Sequence, residues 1–148
     1  RIATQEDTQP KTDENIGNPE DLKGIRILLA EDNDLNAEIA VTLLSEVGFM
    51  VERAANGVDC VEMLKDRPAG YYSIILMDIQ MPVLDGYNAT INIRRMDDKA
   101  KASIPIVAMT ANAFAEDREK ALSVGMNDHI AKPVDMSKLI PTIRKYIK

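Results

Sequence analysis

This sequence has little cysteine, no long apolar run and no cluster of basic residues. Cys60 is the only cysteine among 148 residues, so a disulfide within the chain is impossible and the ligand spacings of zinc or iron–sulfur sites are absent. No apolar run approaches the roughly 18 residues that a membrane span requires, and the first residues do not resemble a signal peptide. We therefore expect a cytoplasmic chain that makes no direct membrane contact.

The charge argues against a nucleic-acid-binding surface. The formal net charge is −6, whereas nucleic-acid binding depends on clustered Lys and Arg that release counterions. Lys138, Arg144, Lys145 and Lys148 are more simply explained by the preference of a helix C-terminus for positive charge. We expect the partners to be proteins.

The chain divides into a polar segment and one domain. Residues 1–24 are rich in Asp, Glu, Gln, Thr, Asn and Pro and have no apolar periodicity, so they cannot bury enough surface to offset the cost of ordering. We predict a flexible linker at 1–24 and a single domain at 25–148. The first residue is Arg1 and not Met, which favours excision from a longer protein over a stand-alone chain.

From residue 25 onward, short apolar runs alternate with amphipathic segments. The runs predict strands at 25–30, 49–54, 73–77, 104–109 and 128–131. Helical spacing is shown by three apolar sets, namely Leu35, Ile39, Leu43 and Val47; Val58, Val61 and Leu64; and Met136, Leu139, Ile143 and Ile147. Five strand–helix units of this length predict an α/β fold with a doubly wound, five-stranded parallel sheet of order 2-1-3-4-5, flavodoxin-like, with helices on both faces.

In such a sheet, the functional crevice lies beyond the carboxyl ends of the strands. The residues at these ends are Glu31 and Asp32 after the first strand, Asp78 after the third, Thr110 after the fourth, and Lys132 and Pro133 after the fifth. The second strand ends near Asn56 and offers little chemistry. Each residue alone has a structural explanation, as a helix cap, a turn residue or a surface lysine. Their joint placement at one edge is what indicates a site.

Three carboxylates at one edge repel one another, so we expect a bound cation to offset their negative charge. Oxygen ligands that leave room for water suit Mg²⁺ better than a calcium cage or a transition metal. We expect Asp32 and Asp78 as direct ligands, Glu31 through water, and a backbone carbonyl near Gln80 as a further ligand.

Asp78 can also act as a nucleophile. A carboxylate needs no general base at neutral pH, and its product with a phosphoryl donor is an aspartyl phosphate. Phosphoryl transfer requires positioning and cancellation of charge on the phosphoryl oxygens. Mg²⁺, Thr110 and Lys132 are suited to that work.

Four segments, "LAEDN", "ILMDIQMPVLDG", "AMTANAF" and "GMNDHIAKPVD", resemble the receiver domain of two-component response regulators, most closely receivers attached to hybrid sensor histidine kinases. The resemblance covers about residues 24–148. It implies that Glu31 and Asp32 form an acidic metal pocket and that Asp78 accepts a phosphoryl group from a phosphohistidine. The Thr110 hydroxyl would move to bind that group, and Lys132 would pair with it.

The resemblance has further implications. The Lys132–Pro133 bond is expected to be cis, and Gln80 and Asn112 occupy positions that tune the lifetime of the phosphoryl group. His129 lies where many receivers have Tyr or Phe, and it could either take part in switching or be a partly buried side chain without such a role.

The partners implied are a histidine kinase core, a histidine-phosphotransfer domain, or both, with Mg²⁺ as cofactor and Mn²⁺ as an alternative. Such a domain catalyses its own phosphorylation and dephosphorylation, and is expected to be monomeric when isolated. Its parent would be a hybrid sensor kinase, of which it could form a cytoplasmic part. Its output face would comprise the helix after the fourth strand, the fifth strand and the last helix.

Three other functions are open. A flavin-binding module would share the sheet order, but its phosphate-binding loop would not read "EDNDLN", which repels anions. A phosphatase with an aspartyl-phosphate intermediate would carry an acid where this chain has Gln80. A degenerate receiver could serve only as a protein-docking module, although Asp78, Thr110 and Lys132 are all retained.

Overall fold

The computed structural model describes residues 24–81, 83–110, 115–131 and 135–147. The strands are β1 (Arg26–Ala30), β2 (Met50–Ala54), β3 (Ile74–Asp78), β4 (Ile106–Thr110) and β5 (Asp128–Ala131). The helices are α1 (Asp34–Val47), α2 (Gly57–Asp66), α3 (Gly86–Arg94), α4 (Lys99–Ala102), α5 (Ala115–Ser123) and α6 (Met136–Tyr146). All strand pairs are parallel, in the order β2-β1-β3-β4-β5. The predicted fold class and sheet order are confirmed.

The sheet is buried on both faces because helices cover each side. Alternate residues of β1, β3 and β4 point to opposite faces and form two separate apolar clusters. One cluster contains residues of α2, α3 and α5, and the other contains residues of α1 and α6. Every residue of β3 and β4 is buried, whereas β2 is a half-exposed edge strand. The last residues of the central strands β3 and β4 are therefore buried as well.

The helices that leave the carboxyl edge of the sheet begin at side-chain caps. Asn33 Oδ1 accepts the backbone N–H of Asn36 at the start of α1, and Asn56 does the same for α2. Asp85 Oδ1 accepts the N–H of Asn88 at the start of α3. Such caps satisfy donors that the first helical turn leaves unpaired. They also set where each loop ends, and so define the loops around the acidic residues.

The predicted apolar face of α1 is partly wrong. Leu35 and Ile39 are 65% and 49% exposed, and the buried face consists of Ala37, Ala40 and Leu44. A spacing of four residues exceeds the helical repeat of about 3.6, so a row of such residues drifts around the helix instead of following one face. Small alanines allow α1 to approach the sheet closely, and this leaves two large apolar side chains in solvent.

The face of α2 and the number of helices also differ from what the sequence predicts. Val58 at the start of α2 is exposed, although Val61 and Leu64 are buried as predicted. The short helix α4, capped by Asp98, was not predicted, because four residues show no periodicity.

Residues 1–23 lie outside the described part of the chain, so the linker remains a prediction. Among the described residues, no helix combines the length and apolar character needed to cross a lipid bilayer.

Asp128 ties the edge strand β5 to α6. Its carboxylate accepts the backbone N–H of His129 at 2.8 Å, the Lys145 ammonium at 3.1 Å and the Tyr146 hydroxyl at 3.2 Å. Burial raises the pKa of Asp128, but these hydrogen bonds outweigh burial and hold the pKa below its ordinary value of 3.8. The ionised form is therefore favoured by folding.

We expect Asp128→Asn to lower the free energy of unfolding at pH 7 by about 1 kcal/mol, because charge-assisted hydrogen bonds are lost and exposed Lys145 adds little. A pKa lowered by folding gives stability that is full above the unfolded value and is lost as pH falls through the folded value. The difference between native protein and variant should therefore shrink below about pH 4. Urea unfolding followed by circular dichroism would measure it. Glu62→Gln on the exposed face of α2 is the control, and a pH-independent difference would contradict the assignment.

Candidate functional site

Three carboxylates meet at the carboxyl edge of the sheet. One oxygen from each of Glu31, Asp32 and Asp78 lies within 4.8 Å of the other two. The register explains the meeting, because Ala30 of β1 pairs with Met77 of β3, and Glu31 and Asp78 each follow by one residue. The structure thus brings together the three acids that the sequence analysis singled out.

The cluster combines two buried acids with one exposed acid. Glu31 is 2% exposed and Asp78 is 4% exposed, whereas Asp32 lies in solvent. The backbone N–H of Asn33 donates to Glu31 Oε2 and that of Gln80 donates to Asp78 Oδ1, both at 3.2 Å. These bonds orient the two buried carboxyl groups. A compact set of carboxylate oxygens, one side of which faces water, fits a hard divalent cation such as Mg²⁺.

The loop after Asp78 folds back on the end of β3. The N–H of Gly86 donates to the carbonyl of Ile79 at 2.9 Å, and a Cβ at Gly86 would lie 2.5 Å from the Asp78 carbonyl oxygen. The backbone of α3 therefore approaches the acidic strand end as closely as only glycine allows. Within this loop Val83 has a φ of 71° and is 83% exposed, a strained conformation for a β-branched residue.

Thr110 and His129 lie on neighbouring strands. Thr110 is the last residue of β4 and follows Met109, which pairs with Asp78, so its side chain starts from the same edge as the acids. His129 is partly buried on β5, with its Nδ1 4.0 Å from Asp128 Oδ1. It lines a cavity of about 190 Å³ with Arg118 and Leu122 of α5. Both alternatives for the role of His129 stay open.

Several predicted site residues lie outside the described part of the chain. Lys132, Pro133 and Asn112 are among them, so the lysine's role, the cis bond and the tuning position remain predictions. For Gln80, the backbone N–H contacts Asp78, and its carbonyl stays a predicted ligand.

Arg53 was not predicted as a site residue, because the edge strand β2 was expected to offer little chemistry. The Arg53 Nε donates to the backbone carbonyl of Glu31 at 3.0 Å, and one terminal nitrogen pairs with Asp34 Oδ1 at 2.8 Å. The available signal was an arginine one residue before the end of a strand that runs beside an acidic loop. Strand β2 therefore contributes a cation to this edge.

A larger cavity of about 810 Å³ lies at the opposite edge of the sheet. Its lining includes Ile25, Ser73 and Pro105, which immediately precede β1, β3 and β4. Those positions are a full strand length away from the acidic residues. The acidic groups and this larger cavity are thus at different ends of the sheet, and the acidic edge is the candidate site.

A family model described as the response regulator receiver domain matches residues 27–144 of this chain. The chain belongs to that family. The match includes residues of all five strands and the acidic cluster, and it favours the receiver over the flavin-binding and phosphatase alternatives. Receiver domains are components of two-component phosphorelay systems, and this receiver domain is therefore a phosphorelay module.

Curated relatives place similar receiver domains in hybrid kinases. This receiver domain is 42% identical over 132 residues to hybrid signal transduction histidine kinase B of Dictyostelium discoideum, covering 82% of this chain and 7% of the relative. It is 41% identical over 121 residues to two-component system protein A of Emericella nidulans, covering 81% and 17%. The chain thus spans less than a fifth of the length of these relatives.

Solved receiver structures share the fold. The receiver domain of sensor histidine kinase PA1611 from Pseudomonas aeruginosa, solved with a magnesium ion coordinated in its active-site cleft, is 40% identical with a TM-score of 0.73, covering 83% of this chain and 97% of that one. A second solved structure is the complex of the Saccharomyces cerevisiae histidine phosphotransfer protein Ypd1 with the receiver domain of Ssk1. It matches at 32% identity with a TM-score of 0.76, covering 84% of this chain and 90% of that one.

Proposed function

We propose that this receiver domain accepts a phosphoryl group from a phosphohistidine onto Asp78, in a reaction that depends on Mg²⁺. The observation that carries the proposal is the meeting of the Glu31, Asp32 and Asp78 oxygens within 4.8 Å at the end of the central strand. Asp78 is buried there, so a charge change at Asp78 acts on packed structure instead of on solvent.

In the proposed reaction, a carboxylate oxygen of Asp78 attacks the phosphorus of the donor. The new O–P bond forms as the N–P bond breaks, and the imidazole of the donor histidine leaves. The Gln80 N–H orients the carboxylate through Oδ1. Thr110 and Lys132 would bind the phosphoryl oxygens, and Asn112 and the Gln80 side chain would border the phosphoryl group and tune its lifetime.

The metal pocket consists of Glu31, Asp32, Asp78 and the Gln80 carbonyl. A divalent ion held there, Mg²⁺ or Mn²⁺ in its place, would offset the negative charge of the acids and of the phosphoryl oxygens. Asp32 and Asp78 would bind directly and Glu31 through water. The support is the donor set, which consists of carboxylate oxygens with one acid open to solvent.

The phosphoryl donor is proposed to be a histidine kinase core or a histidine-phosphotransfer domain. The exposed Leu35 and Ile39 on α1 support this, because α1 begins two residues after Asp32 and offers apolar surface beside the site.

We propose further that residues 1–24 are a linker to a larger cytoplasmic kinase, that residues 25–148 form the domain, and that the isolated domain is monomeric. The proposed output face is α5, β5 and α6.

Intact mass spectrometry tests the phosphoacceptor. The native protein is incubated with acetyl phosphate in Mg²⁺ or in chelator, beside Asp78→Asn and a matched control, Asp59→Asn, on the exposed start of α2. We expect the native protein and Asp59→Asn to gain one phosphoryl group only with Mg²⁺, and Asp78→Asn to gain none. If the native protein binds neither phosphoryl group nor beryllofluoride, the docking-module alternative replaces the proposal.

A further inference from the structure

Arg53 joins the edge strand β2 to the loop that carries two of the three acids. Its Nε donates to the Glu31 carbonyl oxygen at 3.0 Å, and its terminal nitrogen lies 2.8 Å from Asp34 Oδ1. The N–H of Glu31 donates to the Ala54 carbonyl at 3.0 Å. The loop between β1 and α1 is therefore bonded to β2 at its first residue from both the N–H and the carbonyl side, and again where α1 begins.

We propose that Arg53 is a positioning residue of the metal pocket, one that holds Glu31 and Asp32 toward Asp78 before a cation binds. The inference rests on the proposed function, because it assumes that the three acids bind Mg²⁺. Arg53 acts through the Glu31 backbone and through Asp34.

The need for such a residue follows from charge. Three carboxylates within 4.8 Å of one another repel, and the easiest relief is for the loop to move outward with exposed Asp32. Fixed bonds from the adjacent strand oppose that movement, and a preorganised pocket binds its cation without first having to close.

Arginine suits this position better than lysine. Its planar fork presents several N–H groups in fixed directions, so one side chain can bond a carbonyl and a carboxylate together, whereas an ammonium is a single point charge. The second terminal nitrogen of Arg53 is buried with no hydrogen-bond partner among the described residues. A buried nitrogen without a hydrogen bond lowers stability. The guanidinium group stays in this position because its two bonds to the acidic loop offset that cost.

Electrostatics alone predicts the opposite outcome to positioning. A cation beside the pocket repels Mg²⁺, so its removal would tighten Mg²⁺ binding if charge were all that mattered. Removal of a positioning residue weakens Mg²⁺ binding instead. The sign of the change in affinity therefore distinguishes the two.

The experiment measures Mg²⁺ affinity by isothermal titration calorimetry in native protein, Arg53→Gln, Arg53→Lys and a control, Arg26→Gln. Arg26, the first residue of β1, pairs with Glu52 in the middle of β2. All measurements are made at a temperature at which unfolding curves show every variant folded. We expect Arg53→Gln to weaken Mg²⁺ about tenfold, as loss of an outer partner of metal ligands does. Arg53→Lys should lie between, and Arg26→Gln should match the native protein.

Acetyl phosphate labelling supplies a second readout. The Mg²⁺ concentration that gives half the maximal rate should rise about tenfold in Arg53→Gln, while the rate at saturating Mg²⁺ returns to the native value. A simple loss of folded protein would lower the saturating rate and leave the half-maximal concentration unchanged, and that result would overturn the inference.

Equal or tighter Mg²⁺ binding by Arg53→Gln would also overturn it. If native protein binds no Mg²⁺ at all, it is the proposed metal pocket that fails, and the two failures are thereby separate.

Discussion

Replacing Gly86 with alanine is expected to destabilise the domain by about 3 kcal/mol, the upper end for overpacking, and to slow phosphorylation of Asp78 about 100-fold, as a misplaced reacting group does. The added Cβ would lie 2.5 Å from the Asp78 carbonyl oxygen and 2.9 Å from the Ile79 Cα. Both are backbone atoms, so no flexible side chain can move aside. The start of α3 must shift, and the Gly86–Ile79 hydrogen bond must lengthen with it.

Unfolding curves and the acetyl phosphate mass assay measure the two effects. Gly70→Ala is the matched control, because Gly70 has a φ of +87° and a Cβ added there would meet nothing within 4 Å beyond its chain neighbours. It should lose about 1 kcal/mol from backbone strain alone and keep its labelling rate. Native-like labelling by folded Gly86→Ala would show that the loop tolerates the shift and that Asp78 is positioned by other contacts.

The sheet could be predicted from sequence because its strands are short apolar runs bounded by turn residues. The uninterrupted apolar run from Ile74 to Met77 fits a central strand that is covered on both faces. Five such runs that alternate with helices are compatible with only a few sheet topologies. The inward face of α1 could not be predicted in the same way. Leu35 and Ile39 are the larger side chains, yet Ala37 and Ala40 face the sheet, because close approach selects for small volume and not only for apolar character.

The candidate site was predictable where chemistry follows a strand end, and not where a side chain crosses between strands. Glu31 and Asp78 were found because the parallel register places the ends of the neighbouring strands β1 and β3 at the same level. Arg53 was missed because its contact depends on the direction of a long side chain from the edge strand toward a backbone carbonyl. The alternation of residues along a strand predicts which face of the sheet a residue occupies. It does not predict a contact such as that of Arg53 with Glu31, 22 residues away in the chain.

Neutralising Asp32 is expected to reverse the stability order of native protein and variant according to the metal present. In chelator, Asp32→Asn should be more stable than the native protein by about 0.5–1 kcal/mol, since one member of a group of three like charges is removed and water screens the exposed site. In Mg²⁺ the order should invert, because the native protein binds the ion and the variant has lost a proposed ligand.

Linkage gives the size of the inversion. Mg²⁺ at 100 times the native dissociation constant stabilises the native protein by about 2.7 kcal/mol. If loss of the ligand weakens binding about 100-fold, the same concentration stabilises Asp32→Asn by only about 0.4 kcal/mol. The native protein should therefore exceed the variant by more than 1 kcal/mol, or about tenfold in the unfolding equilibrium.

Urea unfolding of both proteins, with and without Mg²⁺, measures the crossing, and added salt should reduce the gap seen in chelator because it screens the repulsion. Glu38→Gln on the exposed side of α1 removes the same charge outside the cluster, so its effect should be equal in the two conditions. A variant that is less stable than the native protein even in chelator would mean that the acids are already balanced without a divalent ion. The acidic cluster would then be a set of compensated structural charges, and the reason to assign it a metal would be gone.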